Sequence, residues 1–102
     1  MKALALSGLI ISWASAPALA DCVAPQPPAH LPSGATASRE EMVEGMQAIR
    51  DYETAVKAFS ECAGHANDLT QMQSADRAVD KLRAIADKFN SELYAFKKRN
   101  VT

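Results

Sequence analysis

Cys22, His30, Cys62 and His65 are the side chains of this sequence whose types suit metal or redox chemistry. Cys62 and His65 fall within one helical turn of each other, so a thiolate and an imidazole there could share a zinc ion. Pro25, Pro27 and Pro28 oppose that site, because they hold Cys22 and His30 apart in extended chain. The two cysteines have a second fate, a disulfide with each other, which depends on the redox state of the compartment.

The first residues address that compartment. Lys2 precedes an almost unbroken apolar run from Ala3 to Ala14, then Pro17 and the small-residue pattern Ala18-Leu19-Ala20. This is the order of a secretory signal peptide over residues 1–20, with cleavage between Ala20 and Asp21. A membrane span needs about 20 apolar residues, and this run is interrupted by Ser7, Gly8 and Ser12. Acylation at Cys22 would call for a small residue before it, where Asp21 stands. The expectation is an exported protein, periplasmic or secreted, with no stable membrane insertion after signal removal. In that setting the pairing is Cys22 with Cys62, and neither metal nor cofactor is expected.

Catalysis finds little support. Nucleophilic chemistry needs a Ser or Cys beside a base that a third group orients. His30 and His65 are the only histidines, and nothing resembles a nucleophile elbow, a Gly-rich phosphate loop, a dinucleotide fingerprint or a Cys-x-x-Cys-His haem attachment. The carboxylates are interleaved with Lys and Arg at solvated helical positions rather than set among the apolar residues that acid–base catalysis uses. Without Lys2, 10 basic and 12 acidic residues leave a net charge of −2, which attracts no nucleic acid. The cluster Lys97-Lys98-Arg99 reads as a solvated helix end. The sequence thus points to a non-enzymatic protein.

The elements that position these residues follow from local pattern. Asp21 to Ala37 carries Pro25, Pro27, Pro28 and Pro32, so residues 21–37 form an extended arm ending in a turn near Pro32-Ser33-Gly34. Ser38-Arg39-Glu40-Glu41 matches a capping box and opens a helix. Met42, Gly45, Ile49, Tyr52, Val56, Phe59, Ala63 and Ala66 then recur at alternating three and four spacing, with Gly45 the one weak member. Gly64, Asn67 and Asp68 stop that helix, and Asp68 or Thr70 caps a second one. There Met72, Ala75, Val79, Leu82, Ala86, Phe89, Leu93 and Phe96 repeat the spacing. The fold class is all-α: an antiparallel two-helix hairpin, about 38–66 and 70–98, within a single domain spanning 38–102. Its strict seven-residue repeat predicts left-handed supercoiling, as in a coiled coil.

Geometry links arm and helix. Twenty-four residues of helix from Ser38 to Cys62 span about 36 Å, and the arm in polyproline geometry reaches about 50 Å. It can therefore run back along the first helix to a disulfide at Cys62. Ala48, Ala55 and Cys62 form a stripe of small residues beside the seam that would receive it, with Val23 and Leu31 as its apolar contacts. Glu40, Glu41 and Glu44 should share one end of the hairpin with Lys97, Lys98 and Arg99.

Leu69-Thr70-Gln71-Met72-Gln73 resembles the Leu-Thr-x-x-Gln pattern of the Spy and CpxP family of periplasmic stress chaperones, which are small, exported and all helical. More of the chain resembles a group of small exported bacterial proteins laid out as signal peptide, early cysteine, Pro-rich arm, Pro-x-Gly turn, capped helix and a second cysteine late in that helix. Cys22, Pro27, Pro28, Pro32-Ser33-Gly34, Ser38, Met42, Tyr52 and Cys62 carry that likeness. It implies a layout and no activity, whereas the shorter motif implies binding of unfolded clients. The functional expectation is an interaction or structural module of the cell envelope that acts by contact. A chaperone-like binder is its alternative, and a metal-dependent activity at Cys62 and His65 a remote one. Met46, Ile85 and Tyr94, just off the seam, are the candidate surface for a protein partner or for self-association.

Overall fold

Ser38 begins the helical part of the chain. In the computed structural model, which describes residues 22–100, its hydroxyl accepts from the Glu41 amide at 3.0 Å and the Glu41 carboxylate accepts from the Ser38 amide at 2.7 Å. This reciprocal box satisfies two donors that a helix start otherwise leaves orphaned. Helix α1 runs Arg39–Ala66 and helix α2 runs Leu69–Arg99. The expected signal segment and its Ala20–Asp21 junction lie outside the described residues.

Asn67 and Asp68 make the turn between the helices. Asn67 closes α1 in the left-handed region at φ 53°, a conformation asparagine tolerates better than most residues. Asp68, rather than Thr70, caps α2: its Oδ1 accepts from the Thr70 amide at 2.9 Å and the Gln71 amide at 3.4 Å. A two-residue connection forces the helices back along one another, and they pack as an antiparallel hairpin.

The seam is the expected one on α1, where Met42, Gly45, Tyr52, Val56, Phe59 and Ala63 are buried. On α2 only Ala75 and Phe89 are fully buried, Leu82, Leu93 and Phe96 are half-buried, and Met72 is exposed. Two clusters result. Met42 and Phe89 pack with Ala37, Leu31 and Ile49 toward the open end, and Phe59, Ala63 and Ala75 pack with Cys22 near the turn. Burying a phenylalanine is worth about 2–3 kcal/mol, so Phe59 and Phe89 anchor one cluster each.

The arm joins both clusters. Cys22 is bonded to Cys62, with their Cα atoms 5.7 Å apart, and at a sequence separation of 40 the bond closes a loop that removes about 4 kcal/mol of unfolded-state entropy on the chain-entropy model. From there the arm runs antiparallel to α1. Pro25 and Pro28 border a depression with Ala48, Tyr52 and Ala55, and Leu31 reaches the open-end cluster. Val23, expected to be a contact, is instead 81% exposed. Its neighbour Cys22 turns inward to Cys62, so alternation along an extended chain sends Val23 to solvent.

Candidate interaction surface

A hairpin seam has two flanks, and the arm covers one of them. Gly45, weak as a seam residue, is used here for close approach: a Cβ at this position would stand 2.7 and 2.8 Å from the ring carbons Cδ and Cγ of Pro32. Beyond Pro32 the arm crosses to α2. A Cβ on buried Gly34 would collide with the Glu92 carbonyl, and the Gly34 amide donates to Glu92 Oε1 at 2.8 Å. Glu92 also receives Lys88 Nζ at 3.3 Å. The Gly34 amide first, and Lys88 second, hold the Glu92 carboxyl below the usual carboxylate range.

Arg99 completes this anchor. Its two terminal nitrogens donate to the carbonyls of Ala35 and Ala37, each at 2.6 Å, and its guanidinium lies over the Phe96 ring at 5.2 Å. The acidic and basic clusters therefore share the open end as expected, but no ion pair joins them among the described residues. Glu41 is engaged in its cap and Arg99 in the arm, while both ion pairs run along α2. On this flank Tyr52 is buried, and burial pushes its phenol upward.

Among the described residues nothing covers the opposite flank. At the open end a groove of about 390 Å³ lies between the two helices, with Met42, Val43 and Met46 on the α1 side and Phe89, Leu93 and Phe96 on the α2 side. Arg39 and Lys97 stand at its edges. Val43 is 51% and Met46 37% exposed, so apolar surface faces solvent where the other flank hides it. The walls offer no nucleophile and no metal donor set, and an apolar floor between two cations suits contact with apolar side chains.

The three residues expected to form a surface divide between the flanks. Met46 lines the groove. Tyr94 is exposed and precedes Lys97 by three residues, which places it on the same flank. Ile85 is half-buried and lies seven residues before Glu92, on the stripe that carries the arm's anchor. Val43 was not expected. The available signal was its spacing, three residues before Met46 and four after Arg39, which makes a second stripe beside the seam.

Among the described residues no group of three or more His, Cys, Asp and Glu side chains could hold a metal ion. Cys62 is spent in the disulfide, so the pairing with His65 that a metal-dependent activity would need is not formed. No described helix is long and apolar enough to cross a membrane. Compared with family models, curated proteins and solved structures, the chain matches none. Function must therefore be read from the two flanks themselves.

Proposed function

We propose that this chain is an exported, non-enzymatic contact module whose working surface is the open groove at the free end of the hairpin. The observation that carries the reading is the contrast between flanks: one apolar side of the seam is sealed by a disulfide-tied arm, and the other leaves Val43 and Met46 in solvent. A continuous apolar hollow left open on a small protein marks a recognition surface. Export rests on the N-terminal signal pattern and on the disulfide, which persists in oxidising compartments.

Two measurements test this. Intact mass of the protein from its exported fraction should show loss of residues 1–20 and alkylation only after reduction; thiols free before reduction would sink the export argument. At low micromolar concentration an apolar fluorescent dye should bind, and Met46→Asp should weaken that binding several-fold while the helical circular dichroism is kept. Dye binding indifferent to Met46→Asp and Val43→Asp would remove the groove as the site.

A second reading, a binder of unfolded clients, draws on the other end of the molecule. Leu69 and Met72 of the Leu-Thr-x-x-Gln stretch are 68% and 41% exposed, so that motif displays its apolar members. Failure to delay aggregation of an unfolded client at equimolar dose would end this reading.

A further inference from the structure

We infer that the occupant of the open groove is a second copy of this chain, packed so that each α1 lies over its partner's α2 with the two open ends together. This rests on the contact-module reading and names its partner.

The apolar part of the flank carries both shapes that such packing needs. Val43 and Met46 form a ridge on α1, and the hollow beside them is walled by Leu93 and Phe96 of α2. A two-fold axis parallel to the helices sets each ridge over the partner's α2 wall, and it does so twice.

The charges beyond the ridge follow the same symmetry. From Met46 the open stripe of α1 continues toward the turn through Arg50, Glu53 and Lys57 at intervals of four, three and four, all exposed. From Lys97 the open edge of α2 continues toward the turn and reaches Asp87, Arg83 and Asp80, also exposed. Levels along the hairpin are set by Gly45 against Phe89 and by Phe59 against Ala75. At those levels Arg50 falls near Asp87, Glu53 near Arg83 and Lys57 near Asp80, all displaced in the same direction by less than about a turn. Signs alternate along both stripes and are opposite at every level. Within one hairpin these charges do not pair between the helices: the two ion pairs, Asp80 with Arg83 and Lys88 with Glu92, both run along α2. Flanking charges of this kind fix partner and orientation in helical assemblies.

Orientation also follows from where the apolar surface sits. Reversing one copy would put Glu53 beside the partner's Arg50, which is acceptable electrostatically, but it would lay the Val43–Met46 ridge on the partner's Lys57 and Ser60. Apolar surface would then meet polar surface, and the gain from burial would be lost. Open ends together is the arrangement in which both terms agree.

Sedimentation of the oxidised protein, from micromolar to millimolar, decides the matter. A reversible monomer–dimer equilibrium is expected, with the dissociation constant raised about tenfold or more by Val43→Asp, a site exposed enough to leave the fold intact. Glu53→Lys and Arg83→Glu should each weaken the dimer, and an equimolar mixture of the two variants should restore it, because both cross-pairs regain opposite signs. A monomer throughout the range, or a mixture no tighter than its components, overturns the proposal. Restoration by mixing Glu53→Lys with Arg50→Glu in place of Arg83→Glu overturns the alignment. If the protein is monomeric while Met46→Asp still weakens dye binding, the second copy fails and the contact-module reading survives.

Discussion

The two flanks of one seam differ in what was done with the same opportunity. On the arm side α1 presents Gly45, Ala48 and Ala55, and the arm lies along them, with Pro32 against Gly45 and with Pro25 and Pro28 bordering the depression beside Ala48 and Ala55. On the open side it presents Val43 and Met46, and among the described residues nothing covers them. Small residues let a polyproline strand lie flat on a helix, whereas larger ones keep it off and offer a ridge to something else. A small domain gains from covering either flank, since below about 80 residues a core alone supplies only a few kcal/mol. One flank is tied down by the disulfide and the other is open among the described residues, and the proposed contact module rests on that contrast.

The contrast can be broken most severely at the disulfide. Replacing both cysteines, Cys22→Ser with Cys62→Ser, should cost about 4 kcal/mol on the chain-entropy model, read as a lowered urea midpoint, and should make the arm susceptible to protease. An unchanged midpoint would mean that the Gly34, Glu92 and Arg99 anchor holds the arm without it.

Glycines offer a sharper comparison at smaller effect. Alanine favours a helix interior over glycine by about 1 kcal/mol. At Gly64, where nothing lies within 4 Å of an added Cβ, Gly64→Ala should raise stability by up to about that amount. At Gly45 the Pro32 ring stands in the way, and overpacking of about 1–3 kcal/mol offsets the helical gain, so Gly45→Ala should be neutral to destabilising. Opposite shifts in melting temperature for the two variants would confirm that the arm is seated; equal increases would show that it is not.

The smallest expected effect is on pH. Glu92 titrates below its unfolded value because the Gly34 amide and Lys88 favour its charged form. Its contribution is therefore fully present above the unfolded carboxylate pKa and is lost as pH falls through the lowered folded one. Glu92→Gln should lower stability slightly at neutral pH and flatten the acid limb of the stability curve. A steeper acid limb in the variant would contradict the assignment.

Much of this architecture is legible in the chain because its signals are local. A capping box at Ser38 to Glu41, two runs of apolar residues at three and four spacing, and a Asn67-Asp68 stop each act within a turn or two, so they specify two helices and their facing stripes. The reach of a Pro-rich arm against the length of α1, together with the Ala48, Ala55 and Cys62 stripe, likewise specifies the disulfide and the flank it draws the arm to. Only the tertiary structure decided the rest. The partners of Glu92 and Arg99 are 58, 64 and 62 residues away in sequence, and no short-range pattern records such a distance. Periodicity places Met46, Ile85 and Tyr94 off the seam but does not say on which flank; the rotation of α2 against α1 and the path of the arm separate Ile85 from the other two. It also marks Gly45 as a poor core residue, when the missing side chain is what admits Pro32. A stripe is a property of one helix, whereas a flank, covered or open, exists only once a second element has been placed beside it.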